Sequence, residues 1–445
     1  MDPLFRQNFK KIHFIGIGGV SMSGLAKLAR GFGYEVSGSD SGESAEIAKL
    51  RDLGIPVFPV HAEENVREAD AVVFSSAIGA DNPELQRAIL SGKCVLSRGK
   101  FLGMISAQFG RVIAFSGAHG KTTATALLAE ILKNENAAFC YHLGGVLKSV
   151  GENTACFGKD CFVCEACEYK RNFLSLRPDV GVILNVDFDH PDYYRDIEDV
   201  RAAYRSFAKQ CRCTVGHCSV GFCDVSFGIE GTDFRAGSDP EPDLAAYGLA
   251  RTEEGFRFEL RCGGKKYEAV SPFLFRHNVE NVLAVLAVCR EFGIDLVRAI
   301  GHVAAFGGVE RRFERLEAEG IPIYSDYAHH PKQIEGVIRA LKEEGHRVLC
   351  VFEPHTYSRT VRLFCEFSEA LSLADEVFLL PVFAAREAEV KGVAEALCEE
   401  VARKTPCRLI DYEQVLPILK GREGTAVALG AGGFDGWLRR KIGGE

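Results

Sequence analysis

The sequence predicts an α/β protein of three domains: an N-terminal Rossmann-like domain, a central domain of the P-loop ATPase type, and a C-terminal Rossmann-like domain. Three observations carry that prediction. Short apolar runs alternate with helical patterns along nearly the whole chain, as parallel sheets with helices on their faces require. Two of those runs open into glycine-rich turns, at Gly16 and at Gly117. The 445 residues, at about 150 per domain, suit three domains.

The first domain is expected over 1–108. A strand at 11–15 feeds the turn Gly16-Ile-Gly18-Gly19-Val-Ser21-Met-Ser-Gly24, and the helix after it carries Leu25, Leu28 and Ala29. A second strand ends at Asp40, about where a Rossmann unit holds a ribose. Residues 71–78 read as another parallel strand with Ser75, Ser76 and Ala77 at its carboxyl end, the edge where open sheets bind ligands. The third glycine of the fingerprint is replaced by Ser21, so a tight strand–helix turn without a ligand stays open.

The second domain is expected over 109–312. Its first strand runs into Gly117-Ala118-His119-Gly120-Lys121-Thr122-Thr123. The glycines let the backbone turn without Cβ clashes, and the amides opening the next helix face a polyphosphate. Lys121 can reach the β and γ phosphates, and a hydroxyl after it can hold Mg²⁺. The usual first glycine of such loops falls at Phe115 in this chain. The run nonetheless predicts binding of ATP or GTP. Farther on, 161–165 and 180–190 read as strands ending in potential metal ligands, Glu165 and His190. The stretch 214–270 predicts antiparallel strands added to the parallel core, and 277–292 predicts a helix.

The third domain is expected over 313–445, with strands near 323–326, 348–352, 376–380 and 426–430 and helices near 331–344 and 360–373. A hydrophobic content of 47% supplies ample core, and a net charge of −8 argues against general affinity for nucleic acid or anionic membrane. The first ten residues lack the apolar segment of a signal peptide, and no run is long enough to cross a bilayer. A cytoplasmic protein without membrane insertion is expected. Sixteen cysteines without that signal predict reduced packing thiols rather than a disulfide framework. Neither Cys161, Cys164 and Cys167 nor Cys211, Cys213, Cys218 and Cys223 has the spacing of a metal cluster.

In this order the motifs resemble those of the Mur ligase family over nearly the whole chain. The runs 16–24 and 75–78 are similar to its UDP-sugar loops, and 117–123 to its ATP loop, whose usual second residue is Thr where this chain has Ala118. His277-Asn278-Val-Glu-Asn281 resembles the adenine-side motif, and Arg311-Arg312-Phe-Glu carries the family arginine. Asp326-Tyr327-Ala-His329-His-Pro and Pro354-His-Thr-Tyr-Ser-Arg359-Thr look like signatures of the alanine-adding branch. The resemblance implies ligation of L-alanine to the lactyl carboxylate of UDP-N-acetylmuramate through an acyl phosphate, with ATP and Mg²⁺, in peptidoglycan precursor synthesis. The alternative is a ligase of the same fold that attaches a whole peptide to that sugar during wall recycling. A nicotinamide-dependent dehydrogenase built on 16–40 is opposed by Ser21 and the downstream ATP apparatus, and a folate ligase by the domain before the phosphate loop. The resemblance leaves a monomer or a homodimer open.

Residue by residue, the resemblance implies catalytic roles for Lys121, His190 and Arg312. ATP contacts are implied for the loop 117–123, His277, Asn278, Asn281, Arg312 and Asp326, and metal ligation for Thr122, Glu165 and His190. The UDP-sugar would meet Gly16, Gly18, Gly19, Ser21 and Asp40, then His61, Ser75, Ser76, Ala77 and Arg98. The amino acid would meet Tyr327, His329 and Arg359. Where the family often continues Ala-Asp-Glu-Ser-Asp after Glu165, this chain has Ala166-Cys167-Glu168-Tyr169-Lys170. That leaves Glu168 either a site carboxylate or a solvated charge.

Overall fold

The computed structural model describes residues 9–188, 190, 193–252, 255–385 and 387–444. Residues 1–8, and with them most of the segment read for a signal peptide, lie outside this description. The chain forms two units, one ending at Val309 and one beginning at Glu310.

The first unit opens with a parallel sheet of β1 (Lys11–Ile15), β2 (Glu35–Ser39), β3 (Val57–Phe58), β4 (Ala71–Phe74) and β5 (Cys94–Ser97) in the order β3-β2-β1-β4-β5. The strand order reverses beside β1, so the loops leaving β1 and β4 share the switch point where such sheets take ligands. Helices α1 (Val20–Gly31), α2 (Ala45–Asp52), α3 (Pro83–Leu90) and α4 (Arg98–Ser106) join the strands. The last three begin on side-chain caps from Ser44, Asn82 and Ser97, which satisfy amides a helix start leaves unpaired.

The same unit holds a larger sheet: β6 (Arg111–Ser116), β7 (Phe139–Leu147), β8 (Glu152–Cys156), β9 (Cys161–Glu165), β10 (Val180–Ile183), β11 (Cys213–His217), β12 (Val225–Ile229), β13 (Leu244–Thr252), β14 (Gly255–Cys262) and β15 (Lys265–Ser271). Their order is β15-β14-β13-β12-β11-β10-β6-β9-β7-β8. Helices α5 (Lys121–Asn134), α6 (Ile197–Ala208), α7 (His277–Glu291) and α8 (Leu296–Ala304) cover it. The apolar run of α7, Val282 to Cys289, and Leu127, Leu128 and Ile131 of α5 fill one core with the strands.

Two expectations change here. The antiparallel part begins at β13, because β11 and β12 remain parallel members of the sheet. Asp224 ties their short connection, accepting from the backbone N–H (2.8 Å) and the hydroxyl (2.7 Å) of Thr214. Among the described residues of the run 180–190, which leave out 189, only Val180–Ile183 pairs as a strand.

The cysteine expectation is corrected at one place. Cys140 and Cys156 face each other across β7 and β8 with Cα atoms 4.0 Å apart and form a disulfide. The other fourteen are free, and several fill space over glycines: Cys211 lies against Gly181, Cys223 against Gly216 and Cys218 against Gly228.

The second unit is a sheet of β16 (Glu314–Ala318), β17 (Ile321–Asp326), β18 (Val348–Glu353), β19 (Glu376–Leu379), β20 (Cys407–Leu409) and β21 (Thr425–Gly430) in the order β16-β17-β21-β18-β19-β20, with only β16 antiparallel. Around it lie α9 (Pro331–Glu343), α10 (Tyr357–Arg362), α11 (Phe364–Leu371), α12 (Val393–Ala402), α13 (Tyr412–Leu419) and α14 (Phe434–Gly443). The helix expected over 360–373 is two helices, because Leu363 leaves helical geometry at φ −109° and ψ 29°. Among the described residues no helix is long and apolar enough to cross a membrane.

Candidate active site

The phosphate loop leaves β6 at Ser116 and turns at Gly117 (φ 147°) and Gly120 (φ 83°), conformations that favour glycine. A Cβ on Gly117 would stand 3.0 Å from Leu184 Cβ, and one on Gly120 would stand 3.0 Å from the side-chain amide carbon of Asn281. The loop is thus walled by the end of β10 on one side and by the first turn of α7 on the other. Asn281 Nδ2 also donates to the side-chain Oδ1 of Asn278 at 2.8 Å. The motif 277–281 and the loop 117–123 are therefore neighbours in space. Asn185, which sequence reasoning missed, grips the loop's backbone: it accepts from His119 N–H at 3.0 Å and donates to His119 O at 3.2 Å.

Lys121 opens α5, and its ammonium donates to the carbonyls of Gly117 and Ala118 and to Glu168, 2.9 Å away. Burial works against that charge, but Glu168, with Cys167 and Glu165 nearby, holds the ammonium above its ordinary range. Burial likewise works to raise Glu168, and Lys121 and His190 outweigh it and hold the carboxyl below its ordinary range. With 3% of its side chain exposed, Glu168 is a buried countercharge and not a solvated one.

His190 Nε2 lies 3.5 Å from Glu168, and its ring stands 4.6 Å from that of Tyr169. Its φ of 57° is unusual for a residue with a side chain. Glu165, at the end of β9 beside the loop, accepts from Gly144 N–H at 2.6 Å. A Cβ on Gly145, the next residue, would come within 3.1 Å of Thr122. One hydroxyl, two carboxylates and one imidazole thus border the loop, an oxygen-rich set that fits a hard divalent cation.

At the other sheet, the turn after β1 and the end of β4 meet as expected: a Cβ on Gly16 would stand 3.3 Å from Ser75 Cβ. Ser76 and Ala77 are exposed there, as is Gly19. Asp40 is only 2% exposed, and it accepts from Gly18 N–H (3.0 Å) and Gly42 N–H (3.1 Å). It shapes the turn from beneath. His61 bonds the carboxylate of Glu84 at 2.8 Å, and Asn65 donates to the same group at 2.6 Å. Burial would raise Glu84, but hydrogen bonds from His13, Ser39, Asn65 and His61 bring its carboxyl down to about 2. Nothing in its sequence context marked it.

Arg98, at the start of α4, donates to Ser21 Oγ at 3.1 Å, and Ser21 lies 2.9 Å from His142 Nε2 on the larger sheet. The two sheets of this unit therefore meet through polar side chains. Asn153 of β8 also donates to the Val20 carbonyl.

In the second unit, Asp326 accepts from Phe313 N–H at 2.9 Å and Ala328 N–H at 2.8 Å. Tyr327 stacks under Arg311 at 4.7 Å and Arg312 at 5.8 Å. Arg311 donates to Gly430 O at 2.6 Å and so braces the carboxyl end of β21. His329 Nδ1 lies 2.9 Å from Tyr327 O. Burial, with Arg359, His355 and His330 near, brings His329 down to about 4, against the Tyr327 carbonyl. Arg359 Nη1 is buried without a hydrogen-bond partner among the described residues.

A phosphate loop on a parallel sheet, beside a second Rossmann-like sheet with its own glycine turn, defines a multi-domain nucleotide-binding α/β protein. Three family models match in series: Mur ligase family, catalytic domain, over 11–110; Mur ligase middle domain over 115–289; and Mur ligase, glutamate ligase domain, over 311–425. A UDP-N-acetylmuramate--L-alanine ligase of Alkaliphilus metalliredigens is 36% identical over 419 residues, 91% of this chain and 90% of that one. The chain belongs to the Mur ligase family, as its motifs led us to expect. Among solved structures, the UDP-N-acetylmuramate-alanine ligase MurC of Thermotoga maritima superimposes with a TM-score of 0.81 at 27% identity, covering 97% of this chain and 98% of that one. A murein peptide ligase of Psychrobacter arcticus shares the fold at a TM-score of 0.70 and 21% identity, covering 98% and 99%.

Proposed function

We propose that this protein is an ATP-dependent ligase that joins L-alanine to the lactyl carboxylate of UDP-N-acetylmuramate, in peptidoglycan precursor synthesis in the cytoplasm. The observation that carries the reading is the phosphate loop whose Lys121 is matched by a buried Glu168, in a chain 36% identical over most of its length to a ligase named for this reaction. The division into 1–108, 109–312 and 313–445 gives each substrate its own domain: UDP-sugar, ATP and amino acid in that order.

In the reaction the lactyl carboxylate attacks the γ-phosphorus, the bond to ADP breaks and an acyl phosphate forms. The alanine amine then attacks the acyl carbon, phosphate leaves, and the nitrogen loses a proton. The barrier is the approach of a carboxylate to a triphosphate. Lys121 and the amides opening α5 offset that repulsion with preorganised positive charge. Thr122, Glu165 and His190 would hold Mg²⁺, which when bound neutralises phosphate charge. His277, Asn278 and Asn281 offer donors and acceptors to adenine, and Arg312 and Asp326 are assigned to the nucleotide. The glycine turn at 16–21, Ser75 to Ala77 and Arg98 serve the UDP-sugar, with Asp40 and His61 shaping and flanking that site. Arg359, with a fork suited to a carboxylate, takes the alanine beside Tyr327 and His329.

The test is phosphate release from ATP with UDP-N-acetylmuramate and a panel of amino acids plus a tripeptide. Release with alanine is expected, and Lys121→Ala should abolish it. No release with alanine, glycine or serine would overturn the reading, and release with the tripeptide alone would replace it with the peptide-attaching alternative.

A further inference from the structure

We propose that His142 is a positioning residue for the UDP-sugar site, holding Ser21 and through it Arg98 from the sheet that carries the phosphate loop. This rests on the reading that Ser21 and Arg98 meet the UDP-sugar. The polar chain runs Thr154 Oγ1 to His142 Nδ1 (2.8 Å), His142 Nε2 to Ser21 Oγ (2.9 Å), and Arg98 Nη1 to Ser21 Oγ (3.1 Å). The arginine can only donate, so the Ser21 hydroxyl accepts from it and keeps its own proton to give, and we assign that proton to His142 Nε2. His142 then carries its ring proton on Nδ1 and donates it to Thr154. Burial and the Arg98 charge both favour this neutral form.

One direction of donation therefore runs through all four groups, and it fixes the rotamer of Ser21 and one arm of the Arg98 fork. Gly24 makes the chain possible, since a Cβ there would stand 2.8 Å from His142 Nδ1. Two residues beyond His142 on the same strand, Gly144 N–H holds Glu165 at 2.6 Å. A single strand, β7, thus anchors the sugar-nucleotide loop at one point and a metal-site carboxylate at the next.

The experiment is steady-state kinetics of His142→Leu, His142→Gln and Thr154→Val, with KM measured separately for UDP-N-acetylmuramate and ATP, and calorimetric binding of UDP-N-acetylmuramate alone. Loss of one bond that orients a charged group should raise the UDP-sugar KM and Kd roughly tenfold in His142→Leu. The ATP KM should stay within about twofold. His142→Gln, which keeps a polar atom toward Ser21, should recover most of the loss, and Thr154→Val should shift the same constant by a smaller factor without disturbing the fold. Combining His142→Leu with Ser21→Ala should add nothing to Ser21→Ala alone. Equal rises in both KM values, or effects of Ser21→Ala and His142→Leu that simply multiply, would overturn the proposal. If Ser21→Ala and Arg98→Ala leave UDP-sugar binding unchanged, the site reading itself has failed and the proposal falls with it.

Discussion

Gly24→Ala tests the closeness of the contact between the two sheets of the first unit. In an unhindered helix this change gains up to about 1 kcal/mol, because alanine has less backbone freedom to lose. At Gly24 the new methyl carbon would lie 2.8 Å from His142 Nδ1 and nearer still to Thr154 Oγ1. Ordinary contacts begin near 3.5 Å, so α1 must retreat by roughly 1 Å. Overpacking of that kind costs about 1–3 kcal/mol. The retreat also stretches the 2.9 Å Ser21–His142 bond past useful length, for a further loss of about 1 kcal/mol. The sign therefore reverses, with a net destabilisation of about 2 kcal/mol. Urea unfolding followed by circular dichroism reads it as a lower midpoint. Gly31→Ala, at the end of the same helix with nothing within 4 Å of its Cβ position, should be neutral or stabilising. A Gly24→Ala midpoint at or above that of the unchanged protein would refute the reasoning.

His142 should also make stability fall in acid. Burial and the Arg98 charge bring it from 6.5 to about 3, so between those values the unfolded chain takes a proton that the folded one refuses. The contribution is complete above pH 6.5 and is lost as pH falls, by about 2 kcal/mol between pH 8 and pH 5. Urea midpoints measured across that range should show a shallower slope in His142→Gln, and identical slopes would count against a neutral, buried His142. Asn185→Ala removes both bonds to the His119 backbone, worth about 2 kcal/mol together. The ATP KM should rise about 10–30-fold while the UDP-sugar KM holds, and a parallel rise in both would exclude loop bracing as its role.

Sequence motifs were legible where chemistry sits on contiguous residues. The loop 117–123, the turn at 16–24 and four strands of the C-terminal sheet, β17, β18, β19 and β21, lie where the pattern put them, whereas its two outer strands, β16 and β20, were not read. The side chains that hold those motifs were not. Asn185 reaches a loop 66 residues back, and His142 reaches Ser21 across 121. Such contacts exist only after the sheet has ordered its strands. The run from 214 misled because short alternating strands read alike whether parallel or antiparallel. Its direction is decided by the connection, here the Thr214–Asp224 clasp. Glu168 could be read either way in sequence. Its place beneath Lys121 turns an ambiguous charge into a buried pair.

The short phosphate loop has a structural cause in its neighbours. Phe115, where longer loops begin, is fully buried and is the register partner of Glu165 in β9. On the other side Ser116 pairs with Ile183 of β10, and Leu184 N–H donates to Ser116 O at 2.9 Å. The sheet is therefore intact to Phe115 on the β9 flank and to Ser116, the residue before Gly117, on the β10 flank. A glycine at 115 would forfeit a core phenylalanine and weaken the strand just where it enters the loop. Because pairing persists that far, the ends of β9 and β10 deliver Glu165 and Asn185 level with the loop. A shorter loop and a closer pair of flanking side chains are consequences of the same register.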